Sequence, residues 1–590
     1  MQDAASFYQS EIEKFTIELS TLKKQLFASS MIRLCVFLAA CFGVYLLYGN
    51  TKFVIAIVLV AIVAFLYLVS RHSNLQNKRD KLKELIRINK TELKVLRRDF
   101  YDLPDGGNYK DPLHFYSQDI DLFGKGSFYQ YINRTALTQG SDTLAAVLTE
   151  NSIDSISKKQ ESIAELAQMP KWRQDFSATA ALAKTETSTH TIVSWLKSYK
   201  PFVPKIMTYL ALVFSVISVT LVVLYFFDLV WESVLLYWLL FGLVLTGTFS
   251  KKIMNLGLAT GKVQSTFQQY NQLLTLIEEK EFESEILRNK KAQILSQGRK
   301  TSLVLQDFSK LLSSLDQNNN VLYLIFGNGF FLRGLTTCLK IENWITAHGT
   351  SVEDWFQVIS YFDAQNSLGN FVFNHSNYTF PVIANEGTAL KSENAGHPLL
   401  NPAKSVLNDF EIKNEEFFII TGANMAGKST FLRTVSLQIV MANVGLPVCA
   451  SSATYVPIKL ITSMRTTDSL TDDESYFFSE LKRLKFIVDE IQNDRYFIVL
   501  DEILKGTNST DKAKGSRKFV ERLVASKATG IIATHDLSLC EVATELPEVK
   551  NHYFDAEIVN NELHFDYTFK DGICQNMNAS FLLKKMGIVS

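Results

Sequence analysis

Apolar residues cluster in four long runs that form two closely spaced pairs. The first pair covers residues 31–48 and 53–69, and the second covers residues 206–227 and 229–249. Each run is near or above the roughly 17 residues that a helix needs to cross the hydrocarbon core of a bilayer. Buried core helices are the alternative, but four such runs arranged as two hairpins are rare in soluble domains. The pattern therefore predicts two transmembrane helical hairpins.

Basic residues predict the orientation of these hairpins. Lysines and arginines lie before and after each pair of runs, whereas Lys52 is the only basic residue in the first turn and the second turn carries Asp228 and Glu232. Cytoplasmic segments next to membrane helices carry an excess of Lys and Arg. We therefore expect an integral membrane protein of four spans in the cytoplasmic (inner) membrane. Both hairpins would point outward, with both termini and all large segments in the cytoplasm.

A further apolar stretch, Val321–Leu339, is interrupted by Gly327, Asn328, Gly329 and Arg333. A fifth span here would place everything after it outside the cytoplasm. The stretch is therefore predicted to be a buried or interfacial helical segment rather than a fifth span.

The polar segments divide the chain into three predicted domains. Residues 1–110 hold the first hairpin, and the helix-prone segments 3–28 and 74–100 would pair below it as an antiparallel stalk. Residues 111–405 are mostly helical and are interrupted by the second hairpin. Within them, residues 264–317 are predicted to form one long charged helix. From residue 406 to 590 the pattern becomes α/β.

Composition excludes several protein classes. The 590 residues include 60 Lys plus Arg and 60 Asp plus Glu, so the formal net charge is zero. This balance argues against a strongly basic protein that coats nucleic acid. A chain with 47% hydrophobic and 20% charged residues is also too apolar to be disordered. Its six cysteines lie far apart without a C-x-x-C spacing, which argues against a zinc site or a disulfide framework.

The strongest chemical signal is a glycine-rich loop that fits the pattern G-x-x-x-x-G-K-[ST]. A buried strand is predicted before it at Phe417–Ile420, and a helix after it at Phe431–Val440. Such a loop directs backbone N–H groups and a helix N-terminus at phosphates. Lys428 would neutralise the β- and γ-phosphates, and the Ser429 hydroxyl would be a ligand of Mg²⁺. The predicted ATP-binding residues are Gly422, Ala423, Asn424, Met425, Ala426, Gly427, Lys428, Ser429 and Thr430.

Two further predicted strands end in polar residues that suit the binding and hydrolysis of a nucleotide. The apolar run that starts at Tyr496 ends in Asp501 and Glu502, which suit a water-mediated Mg²⁺ contact and the polarisation of an attacking water. A second short apolar strand leads to His535, which would contact the nucleotide or sense its γ-phosphate. A strand with an acidic turn and a structural histidine are the simpler interpretations. The glycine-rich loop upstream favours catalytic roles for Glu502 and His535, and a metal-binding role for Asp501.

These segments resemble the ATPase domain of the MutS family of DNA mismatch-repair proteins. The similar segments are TGANMAGKSTFLRTV, FIVLDEILKGTNSTD and IIATHDLSL, with further similarity from about residue 113 to 590. The resemblance implies an α/β P-loop ATPase domain of the ABC-ATPase-like MutS type. A mainly α-helical core, here with its two transmembrane hairpins, would precede it.

The resemblance also assigns roles to individual residues. Asn424 would contact the γ-phosphate or the attacking water, and Ser475 would reach the nucleotide of the opposing subunit. The loop Thr507–Ser509 would meet that subunit. The resemblance thus implies a homodimer with two composite sites that use ATP and Mg²⁺.

The chain also departs from the family pattern. The family signature G-x-S-T is here Asp473-Glu474-Ser475-Tyr476. In the family motif DEIGRGT, the first Gly is here Leu504 and the Arg is here Lys505. Family resemblance implies DNA binding, but we expect no mismatch-reading domain because the first 110 residues are spent on the hairpin and stalk. Any DNA binding is therefore expected to be weak and non-specific.

Three functional classes remain after these observations. The leading one is a membrane-anchored ATPase that hydrolyses ATP in composite dimer sites. The second is an ATP-gated membrane scaffold or clamp that acts on an unknown protein partner without DNA. An ABC-type transporter is the third, but it would need an L-S-G-G-Q signature and a larger membrane domain, and neither is seen.

Overall fold

The computed structural model describes residues 4–182, 188–261, 263–296, 299–317, 321, 323–465, 476–559 and 562–575. Within these residues the chain is mainly helical up to Asn374 and α/β beyond it. This confirms the predicted change from a helical region to an α/β region.

The first two helices form a long hairpin, with α1 at Ala4–Leu46 and α2 at Thr51–Leu96. The polar end of this hairpin docks on the rest of the protein. There the Tyr8 hydroxyl donates a 2.7 Å hydrogen bond to Asn374 Oδ1, and Asn89 Nδ2 donates to Gln174 Oε1 at 3.1 Å. The apolar ends of the two helices contact little else, since only 6% of the most apolar window of each helix is buried. The hairpin is therefore a docked polar stalk with an exposed apolar tip.

The helical body follows, together with one short two-stranded ribbon. Its elements are α3 (Phe128–Ile132), α4 (Thr138–Thr149), α5 (Ile156–Ala167), α6 (Pro170–Ala181), α7 (Thr189–Ser198), α8 (Met207–Phe226), α9 (Glu232–Gly247), α10 (Ser250–Gly261), α11 (Gln264–Glu279), α12 (Glu285–Ala292), β1 (Leu295–Ser296), β2 (Arg299–Lys300), α13 (Thr301–Asp316), α14 (Asn328–Phe331), α15 (Arg333–His348) and α16 (Val352–Asn374). Aromatic side chains fill its core. For example, the rings of Phe308 and Trp344 stack with their centroids 3.7 Å apart.

The prediction of one continuous helix over residues 264–317 is wrong. The segment forms three helices, α11, α12 and α13, and the first break follows Glu279. At this break the Glu165 carboxylate accepts hydrogen bonds from the backbone N–H groups of Glu283 and Ser284, each at 2.8 Å. The Phe282 side chain is buried in the core at the same point. A distant carboxylate thus satisfies N–H groups at the start of α12, which local helix propensity does not reveal.

The second apolar pair forms helices α8 and α9, and α10 continues after a bend of 64°. By length and composition, the described residues contain three helices that could cross a membrane, or four if α9 and α10 are counted as one bent span. In this pair, the apolar run predicted at residues 229–249 forms a shorter helix. Helix α9 begins at Glu232 and ends at Gly247.

The segment predicted to be buried or interfacial packs against this second hairpin. A π-helical turn at Tyr323–Gly327 leads into α14, and Leu332 at φ +50° separates α14 from α15. The Ser218 hydroxyl on α8 donates a 2.6 Å hydrogen bond to the Phe330 carbonyl oxygen. A Cβ on Gly242 of α9 would lie only 2.2 Å from the Gly329 carbonyl oxygen. The backbone of α14 therefore touches both helices of the hairpin.

Helix α15 joins this contact to the helical body. Its Glu342 side chain is 2% exposed and accepts hydrogen bonds from the backbone N–H groups of Phe202, at 2.8 Å, and Val203, at 3.2 Å. Phe202 and Val203 lie just before α8 begins. Helix α15 is thus attached to the base of α8 at Glu342 and to its middle through the α14 segment.

The α/β region contains the remaining elements. They are β3 (Val382–Ile383), β4 (Thr388–Ala395), β5 (Asn408–Lys413), β6 (Phe417–Gly422), α17 (Lys428–Val444), β7 (Ser452–Tyr455), β8 (Lys459–Ser463), α18 (Tyr476–Glu490), β9 (Tyr496–Asp501), α19 (Ser509–Ala525), β10 (Thr529–Ala533), α20 (Val542–Glu545), β11 (Val549–Phe554), β12 (Ala556–Val559), β13 (Glu562–Phe565) and β14 (Lys570–Asp571).

The main sheet has the order β14-β11-β6-β10-β9-β8, and all its neighbouring pairs are parallel except β14 with β11. A smaller sheet has the order β3-β7-β4-β5. Ala533 on β10 is paired with both Ile420 on β6 and Asp501 on β9. The carboxyl ends of these three strands therefore meet at one edge, where ligands of open α/β sheets bind.

Candidate nucleotide-binding site

The glycine-rich loop connects β6 to the start of α17. Its backbone has positive φ at Gly422 (+151°), Met425 (+68°) and Gly427 (+110°). A Cβ on Gly422 would lie 2.5 Å from the Phe554 carbonyl oxygen, so the close approach of β11 requires glycine there. The loop ends at the N-terminus of a 17-residue helix, where backbone N–H groups favour an anion.

Lys428 is held at the base of this loop. Its side chain is buried, and its ammonium donates to the carbonyl oxygens of Gly422, at 2.7 Å, and Ala423, at 3.0 Å. Burial lowers the pKa of Lys428, and the nearby carboxylates of Asp501 and Glu502 oppose that shift. The cation is therefore placed between the loop and the acidic end of β9.

Ser429 and Asp501 bring two hard oxygen atoms together. The Ser429 hydroxyl donates a 2.7 Å hydrogen bond to Asp501 Oδ2. Hydroxyl and carboxylate oxygens suit Mg²⁺, which takes few protein ligands and completes its shell with water and substrate phosphates. In the described part of the chain, no group of three His, Cys, Asp or Glu side chains could hold a metal ion by itself. The donor set thus fits a magnesium ion that arrives with a nucleotide.

Glu502 and His535 lie side by side at the ends of β9 and β10. The distance from Glu502 Oε1 to His535 Nε2 is 3.6 Å, and Lys428 Nζ lies 3.3 Å from the same imidazole nitrogen. Burial lowers the pKa of His535, and the Lys428 charge lowers it further, while Glu502 and Asp501 oppose the shift. The imidazole is therefore mainly neutral at pH 7. Glu502 has φ +50°, a conformation that non-glycine residues rarely adopt and that is enriched at functional sites.

These residues line a cleft of about 720 Å³. All the predicted site residues that the structure describes line it except Gly422 and Ala426, and Ala426 is fully buried. Several other residues that line the cleft were not predicted to have a role there. They include His397, Lys404, Lys505, Phe554 and Tyr567.

Lys505 changes the environment of the candidate catalytic carboxylate, since its Nζ lies 3.7 Å from Glu502 Oε2. Its departure from the family motif was the only signal in the sequence. His397 and Tyr567 lie in segments that resemble the family only as a whole. The resemblance implied no role for either residue.

The residues predicted to meet an opposing subunit are only partly described. Ser475 lies outside the described residues. Asn508 is the N-cap of α19, where its side chain accepts a 2.9 Å hydrogen bond from the Asp511 N–H. Asn508 and Ser509 are both exposed. The loop is therefore at the surface next to the cleft.

Comparison with known proteins agrees with this geometry. Residues 418–584 match the family model described as MutS domain V. The chain is 34% identical over 217 residues to the "DNA mismatch repair protein MSH4" of Arabidopsis thaliana, a match that covers 35% of this chain and 27% of that protein. It is 30% identical over 243 residues to the "DNA mismatch repair protein MutS" of Desulfatibacillum aliphaticivorans, over 40% of this chain and 27% of that protein.

These matches are confined to part of each protein. The "MutS protein homolog 4" of Homo sapiens is 30% identical over 193 residues, which is 31% of this chain and 20% of that protein. The chain thus spans only a fifth to about a quarter of the length of the curated relatives it matches.

Proposed function

We propose, for a chain whose C-terminal domain belongs to the MutS family, that the cleft binds Mg·ATP and hydrolyses it and that the protein is anchored in a membrane. One observation carries the proposal. Four side chains of the predicted site meet at one edge of a parallel sheet, beside a helix N-terminus. They are Lys428, Ser429, Asp501 and Glu502.

Each residue of the cleft has a separate role in the proposed phosphoryl transfer. The loop N–H groups and Lys428 bind the phosphates and offset their charge. Ser429 and Asp501 would hold Mg²⁺, which neutralises charge on the phosphates when it is bound. Glu502 accepts a hydrogen bond from the attacking water and orients it. His535, as a neutral imidazole, is placed to contact the terminal phosphate.

Membrane anchoring is supported by the exposure of the apolar helices. The most apolar windows of α1, α2 and α8 are 6%, 6% and 17% buried. Exposed apolar surface of this extent is unfavourable in water, and a bilayer would cover it. We propose four spans, with both hairpins pointing outward and the cleft in the cytoplasm. The exposure also disfavours the alternative of buried core helices.

We further propose a homodimer in which Ser475 of one subunit completes the cleft of the other. The exposed loop at Asn508 and Ser509, next to the cleft, supports this arrangement. DNA binding rests on resemblance alone, and we expect it to be weak, sequence-blind and without preference for a mismatch. A titration of matched and singly mismatched duplexes at two salt concentrations would test this. A preference of tenfold or more at the higher salt would restore a repair role.

The experiment for the ATPase assignment uses the full chain purified in detergent. Lys428→Ala should abolish ATP binding, because loop N–H groups alone do not offset the charge of the phosphates. Glu502→Gln should bind ATP and lose turnover. Lys527→Ala is the matched control, since Lys527 is exposed and lies at the far end of β10.

Hydrolysis by Glu502→Gln at the wild-type rate would refute the catalytic assignment. ATP binding to wild type without measurable hydrolysis would favour the ATP-gated scaffold or clamp that acts on a protein partner.

A further inference from the structure

A second cavity lies where the polar stalk meets the helical body, remote in sequence from the glycine-rich loop. Its volume is about 180 Å³, and its walls come from α2, α6, α16 and the segment after α3. Three arginines line it: Arg87 from α2, Arg134 from the segment after α3 and Arg173 from α6.

Arg173 is a buried cation with an unused donor. Its side chain is 3% exposed, and its Nε and Nη1 donate to the Leu166 carbonyl oxygen, at 2.8 Å, and to Asn370 Oδ1, at 2.9 Å. Its Nη2 has no hydrogen-bond partner among the described residues. Burial lowers the pKa of Arg173 to about 10, so the guanidinium still carries its charge at pH 7. A buried charge with an unpaired donor is costly unless an acceptor reaches it.

Asn366 provides a second unsatisfied group in the same wall. It is 4% exposed, and neither its amide nitrogen nor its amide oxygen has a hydrogen-bond partner among the described residues. A ligand with oxygen atoms could accept from the Asn366 amide nitrogen and from Arg173 Nη2. The two unsatisfied side chains therefore point to the same kind of ligand.

The charge of the wall favours an anion. Glu92 is the only acidic lining residue, and its two oxygens are already taken by Arg134 Nε, at 2.5 Å, and Asn374 Nδ2, at 2.8 Å. Among the lining residues, no carboxylate is hydrogen-bonded to Arg87 or Arg173. The Arg87 guanidinium contacts Glu84 outside the lining and is largely exposed.

Size and position limit the identity of the anion. About 180 Å³ is below the 300–1,000 Å³ of pockets for drug-sized ligands, so a nucleotide does not fit. Arg87 follows the predicted membrane boundary at residue 69 by 18 residues of one helix, which corresponds to about 27 Å. A lipid headgroup therefore does not reach the cavity, and a small free oxyanion does.

We propose that this cavity is a binding site for a small oxyanion, such as inorganic phosphate or a small dicarboxylate, held by Arg173, Asn366 and Arg87. The anion contacts the stalk helix α2 and the body helices α6 and α16 at once. Binding therefore stabilises the docked stalk, because a ligand that binds only the docked form shifts the equilibrium toward it.

The test is a thermal-unfolding titration of the full chain in detergent, with sodium phosphate or sodium malonate as the probe at constant ionic strength. All samples carry Lys428→Ala, so that phosphate at the glycine-rich loop does not contribute. Either probe should raise the unfolding midpoint in a saturable way. Hydrogen exchange of the backbone amides in residues 82–96 should slow at the same concentrations.

Two added substitutions locate the effect. Arg87→Gln removes an exposed charge without disturbing the fold, and about tenfold more probe should be needed for the same shift. Asn366→Leu removes the unsatisfied amide, so it should abolish the shift while leaving the unliganded protein folded. Arg97→Gln, at the exposed end of the same stalk helix, is the control. Its unfolding midpoint should rise with the probe as it does in the protein that carries Lys428→Ala alone.

Equal shifts in all variants, or no shift with either probe, would overturn the proposal and leave a cavity that holds only water. A response to malonate but not to phosphate would support the site and assign it to carboxylates, and the reverse response would assign it to phosphate.

Discussion

The Ser429 hydroxyl donates a 2.7 Å hydrogen bond to the Asp501 carboxylate, although the two residues are 72 positions apart. Ser429 is in the first turn of α17, and Asp501 ends β9. The parallel order of the sheet places both at the same edge. The two side chains predicted to share Mg²⁺ are thus already in contact.

This contact predicts how the two residues depend on magnesium. Ser429→Ala and Asp501→Asn should each weaken ATP binding about tenfold or more when Mg²⁺ is present, a change of about 1.4 kcal/mol or more. Neither should weaken it much in excess EDTA. The double variant should lose less than the sum of the two effects, because neighbouring residues that share one contact are not additive. Equal losses with and without Mg²⁺ would contradict the shared metal role.

The orientation of the hairpins can be tested by labelling single cysteines in a background that lacks the six native ones. Asn50→Cys, in the turn of the first hairpin, and Ser233→Cys, in the first turn of α9, should react with a membrane-impermeant thiol reagent on intact cells. Asn508→Cys should react only after the cells are opened. Reaction of Asn508→Cys on intact cells would reverse the proposed topology and favour a fifth span at Val321–Leu339.

Asp363 predicts a pH dependence of stability. It is fully buried in α16 and accepts hydrogen bonds from the backbone N–H groups of Ala136, at 3.1 Å, and Leu137, at 2.9 Å. Burial nevertheless raises the pKa of Asp363 to about 7, from an ordinary value of 3.8. The stabilising contribution of the protonated acid is complete below pH 4. It falls between pH 4 and pH 7, where the unfolded state loses its proton first.

Asp363→Asn should remove the fall in the free energy of unfolding between pH 4 and pH 7. The difference in the free energy of unfolding between wild type and variant should change by about 4 kcal/mol from pH 4 to pH 7, at about 1.36 kcal/mol for each pH unit. Chemical denaturation of both proteins at several pH values measures it. Asp354→Asn, in the first turn of the same helix, is the control and should keep the wild-type slope. Parallel profiles for wild type and Asp363→Asn would disprove the assignment.

The shared cleft predicts complementation between two inactive variants. Lys428→Ala and Ser475→Ala homodimers should both be nearly inactive. Mixed dimers place both defects in one cleft and leave the other intact, so about half the wild-type activity per dimer should return. Co-purification with two different affinity tags isolates the mixed species. Full turnover by an isolated monomer would instead show that each cleft works alone.

The glycine-rich loop and the carboxylates after β9 were predictable because each is a local pattern. A strand, a loop and a helix N-terminus follow one another in the chain, and the apolar run before Asp501 identifies a buried strand. The break after Glu279 was not predictable, because Glu165 stabilises it from 118 residues away. The proximity of Lys505 to Glu502 depends on the turn after β9, where Glu502 and Leu504 both have positive φ.

The oxyanion cavity was beyond sequence analysis for a similar reason. Arg87, Arg134 and Arg173 come from three separate elements, and only their packing places them around one space. An unsatisfied buried amide such as that of Asn366 also has no signature in the sequence. Local chemistry was therefore predictable, whereas chemistry assembled from distant elements was not.

Helix α15 acts as a strut between the helical body and the second hairpin. It begins at Arg333, just beyond the Phe330 carbonyl that Ser218 holds and the break at Leu332. About 14 Å further along the helix, its Glu342 holds the backbone at the foot of α8. Glu342 lies on α15 and the Phe330 anchor lies on α14, so Leu332 is the break in the helix between the two anchor points. We therefore expect a movement of the helical body to reach the apolar hairpin at these two points, and the close approach of Gly242 to Gly329 leaves α9 no room to shift toward α14.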